Sequence, residues 1–222
     1  MTLINCTLLT DGSSDVALLP ILEWAIRQHV GEIAVQCEWA DLRRLPSQPR
    51  GLGARIVKAV ELYPCDMLFV HRDAEGQDPG RRYEEINAAV LVATDLGFNL
   101  PHVCVVPVRM QEAWLLLDPA AIRSAADNPN GKAPLNLPPP RRIESLPDPK
   151  DVLYHSLKAA SELGGGRLKR FRPEQRAHSV PRYMTDFRVL RHLPAFVRME
   201  EDIRIVVGRF KEGVYRCIRA AQ

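Results

Sequence analysis

The sequence lacks the short cysteine and histidine motifs that bind zinc. Its five cysteines, at positions 6, 37, 65, 104 and 217, form no CxxC pair, and its six histidines form no HExxH motif. The first four of these cysteines lie in or beside apolar runs, which is typical of buried free thiols. These absences argue against a disulfide-stabilised secreted domain and against a zinc enzyme.

Long apolar runs, a basic leader and a phosphate-binding glycine loop are also missing. No apolar run reaches the roughly 20 residues needed to span a bilayer, and MTLINCTLL has no basic region or small-residue cleavage site. We therefore expect no membrane association and a cytoplasmic location. No GxxxxGK loop is present, and HRDAEGQDPG lacks the Asn and the later DFG of a protein kinase. These absences exclude a kinase and a P-loop NTPase.

Charge is unevenly distributed along the 222 residues, although the net charge is only +3. Residues 1–140 carry 12 Lys and Arg against 17 Asp and Glu, a net −5, and residues 141–222 carry 18 against 10, a net +8. A basic half can attract phosphate backbones, and RLKRFRPEQR at 167–176 offers Phe171 for stacking on a base. A solvated helical surface explains the same charges, so both interpretations stay open.

Short apolar segments alternate with helical segments in the first half of the chain. Strands are predicted at 3–9, 33–39, 67–70 and 103–108, and helices at 15–30, 51–62, 83–96 and from 112 onward. This alternation is typical of an α/β fold with a mostly parallel, Rossmann-like sheet and helices on both faces.

Residues 127–150 interrupt the alternation because they contain seven of the chain's 18 prolines. Proline removes a backbone donor, so we expect a surface connector without helix or central strand here. The sequence thus predicts an α/β core at 1–126, a connector at 127–150, and a basic α-helical extension packed on the core at 151–222. Helices in the extension are predicted at 152–163, ended by GGG at 164–166, and at 183–191 and 200–219.

Acidic residues follow three of the predicted strands. They are Asp11 and Asp15 in TDGSSD after the first strand, Asp73 and Glu75 in HRDAEG after the third, and Glu112 in VRMQEAW after the fourth. Open parallel sheets bind ligands beyond the carboxyl ends of their strands. If these three strands are neighbours, we expect the acids to converge.

Converging carboxylates raise one another's pKa, and a divalent cation relieves their repulsion. Oxygen ligands without Cys or His suit Mg²⁺ or Mn²⁺, which bind phosphate oxygens and activate water. Asp73 and Glu75 are two residues apart, so both side chains can address one site. Taken alone, TDGSSD is explained by a turn with a helix cap, and Glu112 by the preference for acids in a first helical turn. Acids at three strand ends together predict a metal site.

The acids resemble the signature of TOPRIM domains, in which a glycine-flanked acid follows the first strand and D-x-D follows the third. Three segments look like those of a TOPRIM-like bacterial family of unknown function, related to the TOPRIM domain of OLD-type nucleases. They are VPVRMQEAWLLLDPAAI at 106–122, RRIESLPDPK at 141–150 and HLPAFVRMEEDI at 192–203. The resemblance covers most of the chain and implies a TOPRIM-like core with Mg²⁺-dependent phosphodiester chemistry.

By this resemblance, Asp11 takes the place of the family's first Glu, as general base or additional ligand. Asp73 and Glu75 match the D-x-D pair and would hold Mg²⁺ or Mn²⁺, with Glu112 and Asp15 as further direct or water-mediated ligands. Asp11 is shorter than the usual Glu, and Glu75 is longer than the usual second Asp. Charge and ligand type are kept, while the reach of each side chain changes.

Arg109, close to Glu112 in sequence, is predicted to neutralise the scissile phosphate, and a surface ion pair explains it equally well. The leading hypothesis is a metal-dependent nuclease acting on DNA or RNA, with a role in anti-phage defence implied by the resemblance. The alternative is a TOPRIM-like partner subunit of an ABC-type ATPase, silent alone or active only in the complex. A nucleotide hydrolase that uses the same acids also stays open, and a homo-oligomer is compatible with each hypothesis.

Overall fold

A computed structural model describes residues 3–215 of the chain and shows an α/β fold. Four strands form one all-parallel sheet in the order β2-β1-β3-β4, with bounds β1 (Leu3–Leu9), β2 (Ala34–Trp39), β3 (Met67–His71) and β4 (His102–Val105). The helices between the strands are α1 (Leu19–Val30), α2 (Leu52–Leu62) and α3 (Pro79–Asp95). The predicted α/β class with a parallel sheet is confirmed, and the sheet is consistent with a Rossmann-like fold.

Strands β1, β3 and β4 are neighbours, so the condition set by the sequence for converging acids is met. Cys6 of β1 pairs with Met67 of β3, and Phe69 of β3 pairs with Val103 of β4. Every residue of β3 is buried, so both faces of the sheet are covered at this strand. The three carboxyl ends therefore lie along one edge of the sheet.

The chain folds into two compact units. Within the described residues, the first unit contains 3–72, 78–106 and 198–215 and includes the whole sheet, and the second contains 73–77 and 107–197. The second unit is helical and is built around Trp114, which is fully buried with its ring edge-on to Phe196 at 5.5 Å. This division differs from the predicted boundaries, because residues 107–126 and the turn at 73–77 belong to the helical unit.

The helices that follow β4 begin with α4. Their bounds are α4 (Pro119–Ala125), α5 (Pro140–Ile143), α6 (Pro149–Ser161), α7 (Gly165–Arg170), α8 (Pro173–Ala177), α9 (Val180–Tyr183) and α10 (Pro194–Lys211). Each of these except α7 and α9 starts with proline, and α9 has proline as its second residue. Proline suits these positions because the first N–H groups of a helix have no intrahelical acceptor. Because α5 lies within residues 127–150 and α6 begins there, the prediction that this segment contains no helix is wrong.

Three other helix predictions need correction. The helix expected at 183–191 is replaced by α9, which ends at Tyr183, and by a 3₁₀ turn at Arg188–His192. The glycines at 164–166 do not end α6, which stops earlier, at Ser161, and Gly165 instead begins α7. The helix expected from 112 is a 3₁₀ segment, Gln111–Leu117, which precedes α4.

The last helix and the last strand also differ in extent from their predictions. The helix predicted at 200–219 starts earlier, at Pro194, and ends at Lys211, and residues 216–219 of that prediction lie outside the described residues. Strand β4 ends at Val105 rather than 108, before Pro107, which has no N–H to donate to a sheet. No helix in the described range 3–215 is both long and apolar enough to cross a bilayer.

Candidate functional site

The turn after β1 buries Asp15. The carboxylate of Asp15 accepts hydrogen bonds from the backbone N–H of Gly12 at 3.1 Å and from the hydroxyl of Ser14 at 2.8 Å. His71, the last residue of β3, places Nδ1 3.5 Å from Oδ2 of Asp15, and both side chains are more than nine-tenths buried. Burial alone would raise the pKa of Asp15, but the contacts with His71, Ser14 and Gly12 hold it below its ordinary value. Asp15 thus anchors the turn, and its role as a metal ligand stays a prediction.

A second set of contacts fastens the same turn to β2. The indole N–H of Trp39 donates to the hydroxyl oxygen of Thr10 at 3.0 Å, and that hydroxyl donates to the carbonyl of Gly12 at 2.7 Å. TDGSSD is therefore a turn, as its composition indicates. A side-chain helix cap is not formed by Ser13, which precedes the 3₁₀ segment Ser14–Leu18.

Asp11, at the exposed tip of this turn, lies between two guanidinium groups. Arg55 of α2 donates from Nη1 to Oδ1 of Asp11 at 2.5 Å and from Nη2 to the carbonyl of Thr10. Nη1 of Arg72 lies 3.0 Å from Oδ2 of Asp11, and Nη2 of Arg72 lies 3.2 Å from Glu85. The two arginines neutralise Asp11 in this state, and its role as general base stays a prediction.

Asp73 and Glu75 lie in the second unit, in a turn held by its backbone. The N–H groups of residues 74, 75 and 76 donate to carbonyls of the segment after β4, namely those of Pro107, Arg109 and Val108. Glu75 (φ 54°) and Gly76 (φ 78°) are both in the left-handed region, which is uncommon for a glutamate and occurs at functional sites. Asp73 is half-buried and Glu75 is exposed. Backbone hydrogen bonds and two positive φ angles therefore fix the path of the chain through this turn.

The guanidinium of Arg109 lies directly over Gly76. A Cβ added to Gly76 would lie 2.8 Å from Nη1 and 2.9 Å from Cζ of Arg109. Glycine meets two requirements here, a positive φ and a close approach by a side chain. The structure thus places Arg109 at the turn that carries Asp73 and Glu75, whereas the sequence placed it only beside Glu112.

Glu112 is buried and faces a lysine that the sequence reasoning did not select. Nζ of Lys150, in α6, lies 3.9 Å from Oε1 of Glu112 and 5.9 Å from the ring centroid of Tyr154. EAWLL at 112–116 and DPK at 148–150, which are distant in sequence, therefore lie close together in the second unit. The segment RRIESLPDPK at 141–150, which ends in Lys150, was the sequence signal that could have identified this lysine.

The candidate acids suit Mg²⁺ or Mn²⁺ by donor type, because carboxylate oxygens are the ligands these ions prefer. By arrangement they do not form a ready-made centre. Among residues 3–215, no group of three or more His, Cys, Asp or Glu side chains is placed to hold a metal ion. The predicted metal set therefore stays a prediction, supported by ligand chemistry and not by geometry.

Comparison of the chain with protein-family models, with curated proteins and with solved structures gave no match. The relation to TOPRIM-like domains therefore stays a prediction from the sequence motifs. The parallel sheet is consistent with a Rossmann-like fold and does not identify a family.

Proposed function

We propose that the protein is a metal-dependent nuclease that hydrolyses phosphodiester bonds of DNA or RNA in the manner of TOPRIM domains. The sheet order carries this proposal, because β1, β3 and β4 are adjacent and parallel and each leads into a segment with candidate acids. The carboxyl edge of an open parallel sheet is where such folds bind their ligands. All three acidic segments therefore begin at the same edge of the sheet, where the strands that lead into them end.

Asp73 and Glu75 would hold Mg²⁺ or Mn²⁺ in this proposal, with Glu112 and Asp15 as direct or water-mediated ligands. A bound cation of this type neutralises phosphate charge and lowers the pKa of a water molecule. Asp11 would take a proton from the attacking water or serve as an additional ligand.

Two cations in the second unit support binding of a phosphodiester. Arg109 is held at the turn of Asp73 and Glu75, and a guanidinium fork can donate two N–H groups to a phosphate. Lys150 lies beside Glu112 and adds a second positive charge. Cations next to candidate acids offset the repulsion between those carboxylates and an anionic substrate.

The arrangement around Asp11 favours the alternative of a partner subunit. Arg55 and Arg72 pair with Asp11, and the turn itself satisfies Asp15, so these two acids are stabilised without a metal ion. In this alternative the protein is silent alone, or becomes active only when assembled with an ABC-type ATPase. A role in anti-phage defence is compatible with both proposals.

A cleavage assay distinguishes these proposals. Single-stranded and duplex DNA and RNA are incubated with the protein in Mg²⁺, Mn²⁺ or EDTA. We expect cation-dependent cleavage that falls to background in Asp73→Asn, which removes the charge and keeps the size. Asp95 is exposed at the end of α3 and does not belong to the candidate acids. The control variant Asp95→Asn loses the same charge and should cleave like the wild type.

Equal cleavage by Asp73→Asn and Asp95→Asn would overturn the assignment of the acids. Wild-type protein that cleaves nothing alone, and that becomes active when an ATPase encoded beside it is added, would instead support the partner-subunit alternative.

A further inference from the structure

A groove in the second unit is formed by α6, α7 and the start of α8. It has a volume of about 660 Å³, and its lining includes two aromatic rings and three cations, those of Tyr154, Phe171, Lys158, Lys169 and Arg172. The two rings are half-buried and the three cations are exposed. Rings that stack on bases, flanked by cations that neutralise phosphates, form the combination that binds single-stranded nucleic acid.

The charge of the groove is positive even when its carboxylates are counted. Residues 154–176 contain six Lys and Arg against two Glu. The carboxylate of Glu162 accepts hydrogen bonds from the backbone N–H groups of Ala133 and Lys132, which lower its pKa. The other glutamate, Glu174, lines the groove, and Nε of Arg172 lies 4.0 Å from its carboxylate.

The lysines of the groove are available to a ligand. In the part of the chain that the structure describes, neither Lys158 nor Lys169 has a carboxylate within 4.0 Å of its Nζ. Both can therefore contact phosphate without first breaking an ion pair. Long flexible lysines also allow the spacing of the two amino groups to adapt to a nucleic-acid backbone.

Tyr154 connects the groove with Glu112. Its ring lies 5.9 Å from Nζ of Lys150, which is 3.9 Å from Oε1 of Glu112. Burial raises the pKa of Tyr154, Lys150 lowers it, and the carboxylates of Glu112 and Glu174 raise it further. Tyr154 thus lines the groove and lies beside the lysine that faces Glu112.

We propose that this groove binds single-stranded nucleic acid and leads it to Glu112. Phe171 and Tyr154 stack on bases, and Lys158 and Lys169 contact phosphates. Paired bases in a duplex do not offer their faces to the two rings, so a single strand is the ligand that fits. Binding depends on the groove alone, whereas delivery to Glu112 rests on the proposed nuclease function.

Fluorescence anisotropy with short labelled oligonucleotides, measured in EDTA, tests binding without cleavage. We expect tighter binding of single strands than of the matching duplex. Phe171→Ala should weaken single-strand binding by about tenfold, and Phe171→Leu, which keeps apolar packing, should weaken it similarly. Wild-type affinity in both Phe171 variants, or a duplex bound as tightly as a single strand, would overturn the proposal.

Salt dependence tests the two lysines. Each lost phosphate contact lowers the magnitude of the slope of log affinity against log salt by about 0.7, so Lys158→Glu with Lys169→Glu should lower that magnitude by at least about 1.4. The matched control is Arg44→Glu with Arg50→Glu, two exposed residues of the first unit that give the same change in net charge. Equal slopes for the groove variant and this control would overturn the assignment of the lysines.

A small chromogenic phosphodiester separates the groove from the nuclease proposal. Because this substrate has no strand to stack, the groove variants should hydrolyse it like the wild type while cleaving single strands poorly. Equal losses on both substrates would overturn the groove as a strand-binding site. Wild-type protein that binds single strands and hydrolyses neither substrate would overturn delivery to a nuclease centre and support the groove as a binding site.

Discussion

The two turns that carry the candidate acids are built in opposite ways. After β1, in the first unit, side-chain contacts hold the acids, since Asp15 is buried against His71 and Asp11 lies between two arginines. After β3, in the second unit, backbone hydrogen bonds hold the turn, and Glu75 stays exposed at a positive φ. Asp15 therefore stabilises the first turn from a buried position, whereas Glu75 is exposed on the second.

Replacing Asp15 with alanine should give the largest loss of stability. The N–H of Gly12 would lose its acceptor and the buried imidazole of His71 would lose the carboxylate beside it, at a cost of roughly 3 kcal/mol in the free energy of unfolding. Urea unfolding measures the loss, and Asp11→Ala is the matched control in the same turn. A loss for Asp15→Ala no larger than that for Asp11→Ala would contradict a structural role for Asp15.

Acid titration sharpens this contrast. Because the folded state lowers the pKa of Asp15 from its ordinary 3.8, the charged carboxylate contributes its full stabilisation above that value. The contribution is lost as the pH falls through the lower, folded pKa. We expect wild-type protein to lose more stability than Asp15→Asn between neutral pH and the region below 3.8. Parallel pH profiles for the two proteins would contradict the lowered pKa.

Gly76→Ala should come next, with a loss of about 1–3 kcal/mol in unfolding free energy. The added Cβ meets an unfavourable φ and also displaces the guanidinium of Arg109. Gly97→Ala is a matched control, since Gly97 has φ +91° and no atom within 4 Å of an added Cβ. The difference between the two losses measures the Arg109 contact. Equal losses would show that Arg109 does not constrain the turn.

Asp11→Asn should have the smallest effect on stability, at most about 1 kcal/mol, because exposed ion pairs contribute little. The same change should lower cleavage by about 100-fold if Asp11 is the general base. Unfolding and cleavage measured on one preparation separate the two roles. A large loss of stability with unchanged cleavage would contradict the role of Asp11 as general base.

The sheet was predictable because its strands are short apolar runs between helical segments. In β3, for example, all five residues of MLFVH are buried. The sequence does not predict that β1, β3 and β4 are neighbours, because strand order depends on long-range packing. The helix starts at Pro149 and Pro194 do not follow from the apolar pattern, because proline breaks a helix interior and yet is well suited to a first turn.

The sequence pattern selects the candidate acids, whereas it does not indicate which residues contact them in the fold. Burial of Asp15 depends on His71, which arrives from β3, and Asp11 is neutralised by Arg55 from α2. Local patterns carry no information on such contacts between distant segments. The pairing of Glu112 with Lys150 required the same kind of information, and only the resemblance of RRIESLPDPK at 141–150 to a family segment pointed to this lysine.

The most direct test is a crystal structure with Mn²⁺, with the ion located by its anomalous scattering. We expect Mn²⁺ bound by carboxylate oxygens of Asp73 and Glu75 at about 2.1 Å, and no ion at this place in Asp73→Asn. Crystals without Mn²⁺ at these residues, under conditions in which the protein cleaves nucleic acid, would contradict the assignment of the metal ligands.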